Sequence, residues 1–138
     1  MIVVDTNALS ELMRSTPAPR VLAWFAAQPA ADLRVTAVTI AEVLTGLALL
    51  PRGARRDRLE ASARQMFEED FAARCLAFDD VAAAHYADIV SRRTKAGRPI
   101  ASLDAQIAAI ARSHGGTLAT RNVADFAECG VEIVDPWA

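Results

Sequence analysis

Three carboxylates lie where a short apolar or loop segment gives way to a predicted helix. Asp5 follows the apolar residues 2–4, and Glu42 and Asp104 each stand near the start of an amphipathic segment. In an open α/β sheet, the carboxyl ends of parallel strands and the N-termini of helices face one crevice, so these side chains should converge. Carboxylates about 4 Å apart repel by roughly 4 kcal/mol per pair at an effective dielectric near 20, and a divalent cation relieves that repulsion. The pattern therefore predicts a magnesium-type site.

Two of these carboxylates have a simpler structural explanation. Glu42 could complete a capping box that begins at Thr39, and Asp104 could be a favourable negative charge in the first turn of a helix. Asp5 is harder to explain in this way, because it ends an almost wholly apolar strand.

Small polar side chains follow directly after Asp5. Thr6 and Asn7 could donate hydrogen bonds to a carboxylate or to a phosphate, and Asn7 could equally be the N-cap of a helix. Both interpretations of Asn7 remain open on the sequence alone.

Strands and helices alternate along the chain. Short apolar runs predict strands at 2–4, 33–36, 75–78, 117–120 and 131–134, and periodic segments predict helices at 7–13, 21–28, 39–50, 54–70, 79–96 and 102–114, with caps at Asn7, Thr39, Asp79 and Ser102. The two helices within 39–70 should form a helical hairpin. This alternation predicts a single α/β domain over residues 1–138 with a central, mainly parallel sheet.

Composition narrows the class of protein. A chain of 138 residues is long enough for one domain with its own core, and no apolar run approaches the roughly 18 residues of a membrane span. A net charge of −2 provides no overall positive field that would recruit nucleic acid. Cys75 and Cys129 lack metal-ligand spacing and are expected to be buried as small apolar residues. We expect a soluble, cytoplasmic protein with no membrane partner.

Basic residues cluster before Asp104. Arg92, Arg93, Lys95 and Arg98 predict a solvated face of a helix, with contact to RNA phosphate as the alternative. A second cluster around Arg55 stands at the turn of the predicted hairpin, where solvent or a protein partner is the favoured interpretation.

Four stretches, in this order, resemble the PIN-domain ribonucleases, and among them the VapC-like toxins of toxin–antitoxin pairs. They are IVVDTNALSE at 2–11, TIAEVLTG at 39–46, ASLDAQIA at 101–108 and LATRNVADF at 118–126. Each stretch alone is a weak signal, whereas all four in order are specific, and the resemblance extends over the whole chain.

The resemblance implies a three-layer α/β/α PIN-like fold and an endoribonuclease that cuts RNA with Mg²⁺, or alternatively Mn²⁺. Asp5, Glu42 and Asp104 would be the catalytic and metal-binding carboxylates. It also implies a cognate antitoxin partner and a homodimer. The residues expected to support the site or to bind substrate are Thr6, Asn7, Thr120, Asn122 and Asp125.

Asn122 departs from the family pattern, because many members carry an acidic residue at the matching position. The missing charge should weaken a second metal, so one metal is more strongly expected than two. Asp125 could substitute for the missing carboxylate or could cap a short helical turn, and the sequence leaves both open. The alternative function is a non-catalytic PIN-like protein-binding module with a degenerate metal site, which Asn122 supports and the three intact carboxylates oppose.

Overall fold

The computed structural model describes all residues from 1 to 138 and contains five strands and six α-helices. The strands are β1 (Ile2–Val4), β2 (Leu33–Thr36), β3 (Cys75–Leu76), β4 (Thr117–Ala119) and β5 (Glu132–Val134). The α-helices are α1 (Thr6–Leu12), α2 (Pro19–Ala27), α3 (Ala37–Ala48), α4 (Ala54–Gln65), α5 (Asp80–Lys95) and α6 (Ser102–Ser113). Short 3₁₀ segments span Ala30–Asp32 and Val123–Phe126, and a π-helical turn spans Met66–Asp70.

The five strands form one sheet in the order β3-β2-β1-β4-β5, and every neighbouring pair is parallel. The chain moves outward from β1 through β2 to β3 and then crosses over to β4 and β5. The strand order therefore reverses direction between β1 and β4. In sheets of this type a crevice opens at the carboxyl ends of the strands beside such a reversal.

Helices cover both faces of the sheet. Val3 and Val4 are consecutive in β1, so their side chains point to opposite faces, and both are fully buried. Val3 packs in a core cluster with Ile107 and Leu118, whereas Val4 packs with Leu9 and other side chains on the opposite face. The predicted three-layer α/β/α fold with a central parallel sheet is confirmed.

The predicted hairpin is formed by α3 and α4, which pack through Val43, Leu47 and Ala63. Its second helix differs from the prediction, because regular α-helix ends at Gln65 rather than at Asp70. In the π-helical turn that follows, the N–H of Phe71 donates to the carbonyl of Met66. This wider turn brings two residues five apart onto one face, and both side chains are buried in the core.

Two smaller predictions are corrected. Ser102 is the first residue of α6 rather than its cap, and its hydroxyl lies 3.2 Å from that of Tyr86. Cys129 is buried as predicted, but Cys75 is exposed because it lies in a two-residue edge strand. None of the helices combines the length and the apolar character that a membrane span requires.

Candidate active site

Asp5 lies at the carboxyl end of β1 and is 4% exposed. Its Oδ1 accepts a 2.8 Å hydrogen bond from the N–H of Thr6, so Asp5 is the N-cap of α1. Its Oδ2 accepts from the hydroxyl of Thr120 at 2.7 Å and from the side-chain amide of Asn7 at 3.2 Å. The residues after β1 and after β4 thus meet on one carboxylate at the reversal of the sheet.

Asn7 connects the same two strand ends. Besides Asp5, its Nδ2 donates to Thr120 Oγ1, and its Oδ1 accepts from the backbone N–H of Arg121, both at 3.2 Å. Asn7 is therefore not a helix cap, because Asp5 already fills that position. Asn7 and Thr120 thus both hydrogen-bond to Asp5, and their supporting roles in the site stay a prediction.

Glu42 is joined to α1 by a hydroxyl. Thr6 Oγ1 donates to Glu42 Oε1 at 2.8 Å and lies 3.1 Å from the hydroxyl of Thr39. The N-cap of α3 is Thr36, whose Oγ1 accepts from the N–H of Thr39 at 3.0 Å. The predicted capping box is wrong, because α3 begins two residues before Thr39. Glu42 has no capping role, and its carboxylate faces Thr6.

Asp104 lies in the first turn of α6, as predicted, and is partly buried. Burial, and after it the nearby negative charges of Asp5, Glu42 and Asp125, together raise its pKa from 3.8 to about 6. No hydrogen-bond donor of the protein reaches its carboxylate. Asp104 is thus a carboxylate whose charge the protein leaves without compensation.

Asp5 experiences opposing effects. Burial raises its pKa above the usual value, the hydrogen bonds from Thr120 and Thr6 lower it, and the charges of Glu42 and Asp125 raise it again. The net shift is upward. Burial and like charge therefore disfavour ionisation at both Asp5 and Asp104, which is the condition that a bound cation would relieve.

The segment after β4 contributes differently from the prediction. Asn122 is exposed, and it contacts the site through its backbone N–H, which donates to Thr120 Oγ1 at 3.1 Å. The Asp125 side chain caps no helix, and its charge acts on both Asp5 and Asp104. We call Asp5, Glu42, Asp104 and Asp125 the acidic cluster.

The acidic cluster is not a closed metal site. No group of three or more His, Cys, Asp or Glu side chains has the geometry to hold a metal ion. Both oxygens of Asp5 and one of Glu42 accept hydrogen bonds from neighbouring residues instead. Mg²⁺ usually keeps several waters and takes only one or two carboxylates from a protein, so the donor chemistry still fits a hydrated divalent ion. That three carboxylates share one coordination sphere stays a prediction.

A groove of about 740 Å³ opens beside the acidic cluster, between α1 and the α3–α4 hairpin. Thr6 and Glu42 line one part of it. Four apolar and three arginine side chains line other parts, namely Met13, Val43, Leu47, Leu59, Arg14, Arg55 and Arg58.

The roles of Thr36 and Arg93 were not predicted from the sequence. Thr36 is fully buried and fixes the start of α3, and a threonine at the end of an apolar strand was the signal for it. Arg93 was predicted to be solvated or to contact RNA, but it is only 5% exposed. Its guanidinium is enclosed by backbone carbonyls and is not available to a phosphate chain.

Comparison with known proteins agrees with this geometry. The PIN domain family matches residues 2–130. The VapC ribonuclease Y4jK of Sinorhizobium fredii is 39% identical over 137 residues, covering 99% of this chain and 98% of that protein. Toxin FitB of Neisseria gonorrhoeae is also 39% identical, covering 99% of each chain. The crystal structure of FitAcB from Neisseria gonorrhoeae superposes with a TM-score of 0.89 at 36% identity, covering 99% of each chain.

A parallel α/β/α sheet with carboxylates gathered beside the β1–β4 reversal is the arrangement of a PIN-type nuclease domain. With a match over residues 2–130, the chain belongs to the PIN domain family.

Proposed function

We propose that this protein is a Mg²⁺-dependent endoribonuclease and the toxin of a toxin–antitoxin pair. The observation that carries the proposal is the gathering of Asp5, Glu42, Asp104 and Asp125 at one edge of the sheet, with the pKa of Asp104 raised to about 6. The names of the relatives, a VapC ribonuclease and a toxin, support the same activity and role.

Asp5 and Asp104 are the proposed holders of the metal, with Glu42 beside them and Mn²⁺ as an alternative to Mg²⁺. When bound, the cation supplies water activation and charge stabilisation for phosphodiester hydrolysis. One metal is proposed rather than two, because Asn122 provides no charge and its side chain is exposed.

The protein's own residues orient the acidic cluster. Thr120 and Asn7 hold Asp5 by hydrogen bonds, which favour its ionised form against burial. Thr6 fixes the direction of Glu42 through its hydroxyl. Asp125 adds a fourth negative charge beside Asp104 and takes the part of the acidic residue that Asn122 replaces.

The test is cleavage of purified transfer, messenger and ribosomal RNAs with Mg²⁺ and, in parallel, with EDTA. Asp104→Asn should abolish cleavage without unfolding the protein. Asp80→Asn is the matched control, because Asp80 lies in the first turn of α5, just as Asp104 lies in the first turn of α6. Unlike Asp104, Asp80 is exposed and lies outside the acidic cluster. Cleavage that persists in EDTA, or in Asp104→Asn, would contradict the proposal.

Asp5→Asn should also abolish cleavage, but it is a less clean variant. Asp5 caps α1 and accepts from Thr120 and Asn7 on Oδ2, so an amide nitrogen there loses at least one acceptor. Its activity is interpretable only where its thermal melt matches that of the wild type.

A non-catalytic protein-binding module is the second candidate, and one observation favours it. The carboxylates form no closed group of three in metal-binding geometry. A wild-type protein that cleaves none of the RNAs with Mg²⁺ or Mn²⁺ but binds its partner would establish this alternative.

The proposed partner is a cognate antitoxin, and its proposed binding site is the groove between α1 and the hairpin. The groove offers apolar side chains such as Leu47 and Leu59 for the apolar face of a helix, and it ends at Glu42, where an Arg or Lys could pair with the acidic cluster. Co-expression with the neighbouring small open reading frame, followed by size exclusion and a cleavage assay, tests this partner and the predicted homodimer. A monomeric chain that neither co-purifies with that product nor is inhibited by it would exclude both.

A further inference from the structure

Arg93 is a buried cation without an acidic partner. It lies near the end of α5 and is 5% exposed, yet it takes part in none of the five ion pairs of the structure. Burying a charge is costly unless it is paired or fully hydrogen-bonded. The contacts that compensate Arg93 therefore indicate what it does.

Those contacts are three backbone carbonyls in two different segments and the sulfur of Cys129, to which Arg93 Nη1 donates at 3.6 Å. Arg93 Nη1 donates to the carbonyls of Asp125 and Ala127, each at 2.9 Å. Arg93 Nε donates to the carbonyl of Arg98 at 2.7 Å. The first two carbonyls lie between β4 and β5, and the third lies in the connection that leads into α6.

The first of these segments carries one carboxylate of the acidic cluster, Asp125. The second leads directly into the first turn of α6, where Asp104 lies six residues after Arg98. The guanidinium therefore connects the segment that carries Asp125 to the segment that leads to Asp104. The negative charges of these two carboxylates repel each other. The guanidinium reaches both segments through two separate nitrogens, Nε and Nη1, whereas an ammonium group has only one nitrogen from which to donate.

Besides Arg93, the backbone around Asp125 is held by the buried side chain of Phe126 and by two backbone hydrogen bonds, from the N–H of Asp125 to the carbonyl of Asn122 and from the N–H of Ala127 to the carbonyl of Ala124. The Val123–Phe126 segment is a single 3₁₀ turn with an exposed Asp125 side chain, and Phe126 is its one buried residue. Such short 3₁₀ turns have poor hydrogen-bond geometry of their own. Two hydrogen bonds from a charged donor are thus a large share of what holds this turn.

We propose that Arg93 is a positioning residue that fixes the Asp125 carboxylate beside Asp104 and thereby sets the affinity of the acidic cluster for a divalent metal. The inference rests on the proposed function, because it assumes that the acidic cluster binds metal. Arg93 itself touches neither substrate nor metal. It acts through the backbone of the turn that carries Asp125.

The first measurement needs no metal. Hydrogen–deuterium exchange of metal-free protein should show amides in 122–130 exchanging about tenfold faster in Arg93→Met, as expected when charge-assisted hydrogen bonds are lost. Arg92→Met is the matched control, because Arg92 is adjacent on α5, exposed, and paired only with Asp88. Unchanged exchange in Arg93→Met would overturn the first step of the inference.

The second measurement is the Kd for Mn²⁺ by calorimetry, at a temperature where every variant is folded. Arg93→Met should weaken binding by about 10-fold to 100-fold, the usual effect of removing a group that orients a metal ligand. Arg92→Met should leave the Kd unchanged. If Arg93→Met does not fold, Arg93→Lys is measured instead. This variant keeps the positive charge but lacks the two separate donor nitrogens that reach both segments.

A double-mutant cycle separates positioning from a merely structural role. If Arg93 acts through Asp125, the effect of Arg93→Met on the Kd disappears in an Asp125→Asn background. Independent, additive losses would show that Arg93 only supports the fold and would overturn the inference. A wild-type protein that binds no Mn²⁺ would instead defeat the proposed function, and the inference would fail with it.

Discussion

The hydroxyl of Thr120 lies 2.7 Å from Oδ2 of Asp5, although 115 residues separate the two in sequence. Thr120 is fully buried and also accepts hydrogen bonds from Asn7 and from the N–H of Asn122. One hydroxyl therefore hydrogen-bonds to three groups at the junction of β1 and β4. This junction is where the fold and the candidate active site depend on the same contact.

Replacing that hydroxyl should damage stability and activity together. Thr120→Val keeps the shape but leaves buried polar groups unpaired, so the free energy of unfolding should fall by about 1–3 kcal/mol. The pKa of Asp5 should also rise further, because a hydrogen bond that favours its ionised form is lost. Urea unfolding and the pH dependence of cleavage measure the two effects. Thr120→Ser should restore both, and a valine variant with wild-type stability would contradict the assigned contacts.

Asp104 should make the metal-free protein sensitive to pH. Because the pKa of Asp104 is about 6 in the folded protein and its ordinary value is 3.8, the folded state binds the proton more tightly than the unfolded state. The contribution of Asp104 to stability is therefore highest at low pH and is lost as the pH rises through about 6. Asp104→Asn should gain stability over the wild type as the pH rises from about 3.8 to about 6, should keep that advantage above pH 6, and should equal the wild type only below about pH 3.8. Thermal melts across this range check the difference, and Asp80→Asn should not reproduce it.

Binding of a divalent metal should offset the loss of stability that the ionisation of Asp104 causes. A ligand that binds only the folded state at 100 times its Kd raises the free energy of unfolding by about 2.7 kcal/mol. The melting temperature of the wild type should therefore rise with Mg²⁺ or Mn²⁺, and more at high pH, where Asp104 is ionised. Asp104→Asn should lose most of this rise. A metal-induced shift of equal size in both proteins would place the bound ion elsewhere.

Gly46 offers a way to block the groove without disturbing the core. A Cβ atom added at Gly46 would have nothing within 4 Å, and Gly46 lines the groove from α3. Gly46→Ala should stabilise the helix by roughly 0.5–1 kcal/mol and leave antitoxin binding intact. Gly46→Trp should fill the groove and prevent co-purification of the antitoxin. Leu49→Trp is the control, because Leu49 is 81% exposed and does not line the groove.

Much of the site could be predicted from local sequence. Asp5 and Asp104 were found because each follows a strand or opens a helix, and such positions are visible in the pattern of apolar and polar residues. Glu42 was found for a partly wrong reason, since the expected capping box at Thr39 does not exist. Thr36 and Thr39 are both plausible caps in sequence. The choice between them depends on where β2 stops pairing with its neighbours, which is a tertiary property.

Arg93 and the groove could not be predicted in this way. The last turn of α5 is otherwise exposed and basic, and nothing local distinguishes Arg93 from Arg92. The burial of Arg93 depends on carbonyls more than thirty residues later in the chain. Likewise, which helix lies beside the hairpin depends on the packing of α1 against α3. Periodicity predicts the elements, but contacts between distant segments decide which charges are enclosed.

The central position of β1 has a consequence for the time at which the protein becomes active during its synthesis. Asp5 leaves the ribosome long before Asp104, Thr120 and Asp125, with which it forms the acidic cluster and its hydrogen bonds. Contacts between such distant residues form late in folding. A nascent chain therefore carries no assembled acidic cluster until Asp125 has emerged, so the proposed nuclease site would still be incomplete while most of its own messenger RNA is being translated.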